Sequence, residues 1–119
     1  MSRKILLVDD EPLVTEELQE ALEFEGHAVE AVCNVSDALA AYDRDPFDLI
    51  ITDLKMPQLG GLDLLRALRE RDGPPKVFVL SGHGAESNRT EAMDLGAEDC
   101  FSKPVDPDML AERIACLFN

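Results

Sequence analysis

Short apolar runs alternate with amphipathic stretches along this chain, and that alternation restricts the fold more than any other feature. Runs of strand length occur at positions 4–8, 28–32, 48–52, 76–80 and 99–102. The first, third and fourth are continuously apolar, as is typical of strands covered on both faces, whereas 28–32 alternates like a half-exposed edge strand. Residues with helical spacing follow each run, so the sequence predicts one α/β domain with a doubly wound, parallel, five-stranded sheet.

The predicted helices have ordinary boundary residues. Pro12 stands at the first helical position, and Gly26 is placed to end the first helix. Ser36 is predicted to be the N-cap of the second helix, and the fifth is predicted to begin near Asp106 and Pro107. These boundaries leave no linker or repeat between the elements, which agrees with a single domain.

The charge balance narrows the classes of partner. The 119 residues include 25 acidic and 11 basic side chains, for a formal net charge of −14. Nucleic acid binding by this chain is not expected, because phosphate contacts need a basic face. No segment reaches the roughly 18 apolar residues of a membrane span, and the N-terminus lacks the features of a signal peptide. We therefore expect a cytoplasmic protein with no membrane partner.

The residues at the ends of the predicted strands are the ones with chemistry to offer. They are Asp9, Asp10 and Glu11 after the first strand, Asp53 after the third, Ser81 after the fourth and Lys103 after the fifth. Because the carboxyl ends of parallel strands meet at one edge of the sheet, we expect these side chains to converge. Carboxylates in one crevice repel one another unless a cation balances them, and Mg²⁺ suits a site of few carboxylates, water and phosphate oxygens. Carboxylate, hydroxyl, lysine and cation are the groups needed to accept a phosphoryl group on an aspartate.

Four stretches carry a family resemblance: ILLVDDEP, DLIITDLKMPQLGGLDLL, VFVLSGHG and LGAEDCFSKPVDPDML. In order, spacing and predicted context they resemble the receiver domain of bacterial response regulators, from residue 3 to about residue 118. The resemblance implies a flavodoxin-like fold with strand order 2-1-3-4-5 and a single receiver domain over residues 1–119, with no output domain in this chain. It also implies a two-component phosphorelay, in which a sensor histidine kinase or a histidine phosphotransfer protein donates the phosphoryl group from phosphohistidine.

The resemblance also implies a metal site and a nucleophile. Asp53 would be the phosphoacceptor. Asp10, Asp53 and the backbone carbonyl of Lys55 would ligate Mg²⁺, or Mn²⁺ in its place, and Asp9 would hold a metal-bound water. Such a protein is not a turnover enzyme, although it catalyses its own phosphorylation and dephosphorylation.

Further roles come from the same resemblance. Ser81 would donate a hydrogen bond to a phosphoryl oxygen, and Lys103 would bridge the phosphate to the acidic residues. Pro104 would follow the lysine in a conformation that aims it inward. His83 and Lys55 occupy positions that the family uses to modulate attack of water on the acyl phosphate.

One position departs from the family pattern. Many receivers carry an aromatic switch residue three positions before the lysine of the fifth strand, where this chain has Cys100 with Phe101 beside it. Transmission to the face made by the fourth helix, fifth strand and fifth helix would then use either the smaller thiol or backbone shifts. That face is the expected contact for an output domain or partner.

Two other functions fit part of the pattern. A phosphorylation-independent interaction module is one, although such modules usually lack part of the acidic cluster or the lysine. A phosphohydrolase of the haloacid dehalogenase type is the other. It typically needs a second aspartate two residues after the nucleophile, where this chain has Lys55. The chain could serve as a single-domain regulator or as the receiver of a longer one.

Overall fold

The computed structural model describes residues 2–56, 58–82 and 86–118, and within these ranges five strands alternate with five helices. The strands are β1 (Lys4–Val8), β2 (Ala28–Val32), β3 (Leu49–Asp53), β4 (Lys76–Ser81) and β5 (Asp99–Ser102). The helices are α1 (Pro12–Phe24), α2 (Val35–Arg44), α3 (Gly61–Arg69), α4 (Glu86–Asp94) and α5 (Pro107–Leu117). The predicted α/β alternation is confirmed.

All strand pairs are parallel, and the sheet has the order β2-β1-β3-β4-β5. This confirms the flavodoxin-like order and places β2 at an edge, as its alternating sequence predicts. The predicted ends of β3 and β4 are each one residue too early. Asp53 is the last residue of β3, paired with Leu80, and Ser81 is the last residue of β4, paired with Ser102. The backbone of both residues is therefore fixed by the sheet ladder.

The sheet separates two apolar layers. On one face, side chains of β1, β3 and β4 pack against α2, α3 and α4, and on the other face the alternate residues pack against α1 and α5. Along β3, for example, Ile50 faces the first layer and Ile51 the second. This division follows from the two-residue period of a strand and explains why the central strands are apolar throughout.

The start of α2 corrects one prediction. The cap is Asn34, whose side-chain oxygen accepts a hydrogen bond of 2.8 Å from the amide of Asp37. Ser36 lies inside the first turn. The capping oxygen must reach back to an amide of the first turn, and Asn34 supplies it from an extended backbone conformation. At α5 the prediction holds, since Asp106 caps the amide of Asp108.

Among the described residues, no helix combines the length and the apolar content that crossing a bilayer requires.

Candidate phosphoacceptor site

Four carboxylates meet at the carboxyl edge of the sheet. Asp9, Asp10, Glu11 and Asp53 each offer an oxygen atom, and these atoms lie within 4.8 Å of one another. The pairing of Val8 with Thr52 sets the ends of β1 and β3 side by side, so the next residue of each strand contributes to the cluster. Asp9 and Asp53 are only 3% and 6% exposed, whereas Asp10 and Glu11 face solvent. The predicted convergence of acidic residues is therefore present in the fold.

Lys103 is the cation that balances the buried pair. Its Nζ donates hydrogen bonds to Asp53 Oδ2 at 2.9 Å and to Asp9 Oδ2 at 3.1 Å, and it lies 3.5 Å from Glu11 Oε1. The backbone holds the lysine in place, because its amide donates to the carbonyl of Ser81 at 2.8 Å. The bond from Lys103 to Pro104 is cis. Lys103 thus bridges the carboxylates that the strands bring together.

Charge and burial shift the pKa values of two groups here. Burial raises the pKa of Asp9 and repulsion from Asp53 adds to that, while hydrogen bonds from the amide of Glu11 and from Lys103 partly oppose the shift. Burial alone would lower the pKa of Lys103, but its hydrogen bonds and attraction to Asp53 and Asp9 outweigh burial and raise it. Lys103 is therefore a fixed positive charge at neutral pH.

The segment between β3 and α3 passes close to the nucleophile candidate. The amide of Lys55 lies 3.4 Å from Asp53 Oδ1, and the Lys55 side chain is exposed at the rim. A Cβ atom on Gly60 or Gly61 would sit 2.5 Å from the carbonyl oxygen of Leu54 or Asp53, respectively. Only glycine permits this approach of the α3 start to the end of β3.

Ser81 differs from the other predicted site residues. It is buried at the same edge, but among the described residues its hydroxyl contacts the thiol of Cys100, 3.6 Å away, and not the carboxylates or Lys103. His83 lies outside the described residues. Phe101, beside Cys100, turns to the opposite layer and packs edge-on against Phe78, with ring centroids 5.1 Å apart.

Two contacts at this edge go beyond the predictions from the sequence. Glu11 is expected to converge with Lys103 but is assigned no role by the resemblance, and it lies within ion-pair distance of Lys103. A role of the Cys100 thiol in transmission is predicted from the sequence, but its direct contact with Ser81 is not. The first had a signal in the sequence, since three acids follow β1. The second depends on the stagger between β4 and β5, which the sequence does not display.

The residues present fit a hard divalent cation. The cluster offers carboxylate oxygens, with no histidine or cysteine ligand among them. Oxygen-only donors with one or two direct carboxylates are the set that Mg²⁺ prefers.

Comparison with known proteins places the chain in a family. A family model described as "Response regulator receiver domain" matches residues 5–115. The transcriptional regulatory protein CpxR of Escherichia coli (strain K12) is 40% identical over 116 residues, which are 98% of this chain and 49% of that protein. The transcriptional regulatory protein TcrA of Mycobacterium tuberculosis (strain ATCC 25618 / H37Rv) is 35% identical over 114 residues, covering 96% and 45%. The chain thus spans about half the length of the curated relatives it matches.

Solved structures agree with the sequence comparison. The receiver domain of the Francisella response regulator 1452 has a TM-score of 0.90 at 28% identity, covering 98% of this chain and 96% of that one. A CheY-like response regulator receiver domain protein from Methanospirillum hungatei JF-1 has a TM-score of 0.91 at 29% identity, covering 98% and 94%. Because the family match runs through nearly the whole described fold, this chain belongs to the response regulator receiver domain family.

Proposed function

We propose that the chain is the phosphoacceptor of a two-component phosphorelay, with Asp53 as the residue that is phosphorylated. The observation that carries this proposal is the Asp53 carboxylate itself. It is buried at the carboxyl end of β3, bonded to Lys103 at 2.9 Å and close to three further carboxylates. A structural ion pair would need only one acid for the lysine. Four acids around one lysine leave negative charge that a bound cation can balance.

The reaction moves a phosphoryl group between two proteins. An oxygen of Asp53 attacks the phosphorus of a phosphohistidine, an O–P bond forms, and the N–P bond breaks with its electron pair returning to the donor imidazole. Hydrolysis later returns Asp53 and inorganic phosphate. Bound Mg²⁺ would neutralise charge on the phosphoryl oxygens. The protein catalyses both steps on itself and is not a conventional turnover enzyme.

Each site residue has a defined part in this proposal. Asp10, Asp53 and the carbonyl of Lys55 would hold the cation, with Asp9 bonding a metal-bound water. Lys103, already charged and in contact with Asp53, would bind a phosphoryl oxygen when the group arrives. Ser81 would donate its hydroxyl to a second phosphoryl oxygen. The contacts of Lys103 with Asp53 and the cluster of four carboxylates support these parts of the proposal.

Signalling would follow from phosphorylation of Asp53 at the carboxyl edge of the sheet. A sensor histidine kinase or histidine phosphotransfer protein is the proposed donor, in the cytoplasm. The α4–β5–α5 face is the proposed contact for an output domain or partner protein. Modulation of acyl-phosphate lifetime is proposed for Lys55 and His83, and exchanging both residues is expected to change that lifetime severalfold.

The decisive experiment is incubation with Mg²⁺ and acetyl phosphate, followed by intact mass measurement. We expect one phosphoryl adduct on the wild-type chain and none after chelation of the metal. Asp53→Asn should remove the adduct, whereas Asp72→Asn, an exposed carboxylate away from the cluster, should retain it. No adduct on the wild type, or an adduct that survives Asp53→Asn, contradicts the proposal.

A further inference from the structure

The hydroxyl of Ser81 points away from Asp53, whose phosphoryl group it is proposed to bind. Side chains of a strand alternate between faces, and Asp9, Asp53 and Lys103 all fall on positions in phase with the layer of α1 and α5. Ser81 is in phase with Val77 and Val79, whose side chains belong to the layer of α2, α3 and α4. Ser81 and the acidic pair therefore start from opposite faces of one sheet edge.

The contact of Ser81 on its own face is Cys100. In the ladder Cys100 pairs with Val79, so it is the diagonal neighbour of Ser81 on the same face. The Oγ and Sγ atoms are 3.6 Å apart, within hydrogen-bond distance for sulfur, and both residues are buried. Among the described residues Cys100 is the hydrogen-bond partner of the hydroxyl.

Hydrogen bonds hold the backbone of Cys100 in place. Its amide donates to the Asp99 carboxylate at 2.8 Å, and its carbonyl accepts from Arg89 Nη1 at 2.9 Å. Asp99 is also bonded to Arg113 of α5. The backbone of Cys100 is therefore tied to α4, while rotation of the Ser81 side chain about one single bond needs no backbone movement. The hydroxyl can therefore change its partner by side-chain rotation while the Cys100 backbone stays in place.

We propose that Cys100 is a positioning residue for phosphorylation, whose thiol holds the Ser81 hydroxyl in a resting orientation that must be released when a phosphoryl group reaches Asp53. This inference rests on the proposed function. It assigns to Cys100 a direct hydrogen bond to the hydroxyl, at the position where many receivers carry an aromatic switch residue. The free energy needed to break this hydrogen bond is small, because a bond between a thiol and a hydroxyl is weak.

The kinetic test compares two variants that both delete the thiol. Cys100→Ala leaves a small void and Cys100→Val slightly overfills the site, so a packing effect would act differently in the two. If the thiol restrains the hydroxyl, both variants should be phosphorylated by acetyl phosphate about threefold faster than the wild type. Their Mg²⁺ affinity should be unchanged, since Cys100 does not contact the acidic cluster.

The Ser81→Ala background separates positioning from structure. There the two Cys100 variants should have no effect on the rate, because the group they release is gone. The inference is overturned if, with Ser81 present, the wild type and the two Cys100 variants are phosphorylated at equal rates. It is also overturned if the acceleration persists with Ser81→Ala. A wild-type chain that is not phosphorylated at all is the different result that contradicts the proposed function.

A spectroscopic measurement tests the hydrogen bond without any phosphorylation. The S–H stretching band of Cys100, identified by its loss in Cys100→Val, should move to higher frequency in Ser81→Ala as the thiol loses its partner. The bands of the exposed thiols Cys33 and Cys116 serve as internal controls and should stay in place. With the thiol as donor to Ser81 Oγ in this proposal, a Cys100 band that does not move overturns the inference.

Discussion

Replacing Lys103 with methionine should expose the electrostatic cost of the acidic cluster. Methionine keeps the length and apolar stem of lysine but removes the charge that lies 2.9 Å from Asp53 and 3.1 Å from Asp9. At an effective dielectric constant of about 20, each of these attractions is worth about 5–6 kcal/mol before the cost of desolvation. The repulsion between two carboxylates within 4.8 Å of one another is at least about 3 kcal/mol on the same scale.

The net loss of stability is smaller than the sum of these figures. Desolvation of the lysine, whose side chain is 19% exposed, offsets much of the attraction. Asp9 can also take up a proton once the lysine is gone, since its pKa is already raised by burial. Breaking a buried pair typically costs about 3–5 kcal/mol, and we expect about 3 kcal/mol for Lys103→Met in metal-free buffer at pH 7.

Urea unfolding followed by circular dichroism measures this loss. In the Asp53→Asn background the cost of Lys103→Met should fall to about 1 kcal/mol, because one of the two close attractions is absent and the repulsion it balanced is relieved. Lys76→Met is the matched control. Lys76 lies 3.6 Å from Glu98 in an exposed pair, and its loss should cost less than about 1 kcal/mol. A cost for Lys103→Met no larger than that of Lys76→Met, or one that is the same in both backgrounds, refutes the reasoning.

Three further predictions concern the fold. Asn34→Ala should lower the free energy of unfolding by about 1 kcal/mol through loss of the α2 cap, and Ser36→Ala by less than about 0.5, as measured by urea titration. Burial lowers the pKa of His27 below its ordinary 6.5, so the unfolded chain binds a proton that the folded chain does not. Stability should therefore fall as the pH drops through about 6.5, and a urea series between about pH 7.5 and 5.5 should show this slope in the wild type and a shallower one in His27→Gln. Leu64→Ala, at a site that is 0% exposed, should lower the free energy of unfolding by about 2–5 kcal/mol. Leu13→Ala, at a site that is 79% exposed, should change it by less than about 0.5 kcal/mol, and thermal or urea unfolding measures both.

The arrangement of the fold could be predicted because its signal is repeated. Each of the central strands is apolar on both faces, which requires helices on both sides of a parallel sheet. The acidic edge followed from the same topology, since residues after parallel strands share one edge. Asp9, Asp53 and Lys103 were therefore predictable as neighbours from positions far apart in the chain.

The remaining details depend on distances that no residue type specifies. Asn34 and Ser36 are both good caps, and the choice between them is made by the direction in which the chain leaves β2. The strand ends at Asp53 and Ser81 were placed one residue early because polar residues at the end of an apolar run look like loop residues. The partner of Ser81 was not predictable, since it follows from the diagonal neighbours of two strands that belong to different motifs.

The hydrogen bonds around Cys100 have a consequence for association between chains. β5 forms one edge of the sheet, and the outward amide and carbonyl of Cys100 are the groups that a strand from another molecule would use for pairing. Asp99 and Arg89 already occupy them. At the opposite edge, Glu30 of β2 is paired with Arg44 and places charge along that border. Both borders of the sheet therefore discourage strand addition and the aggregation that follows from it.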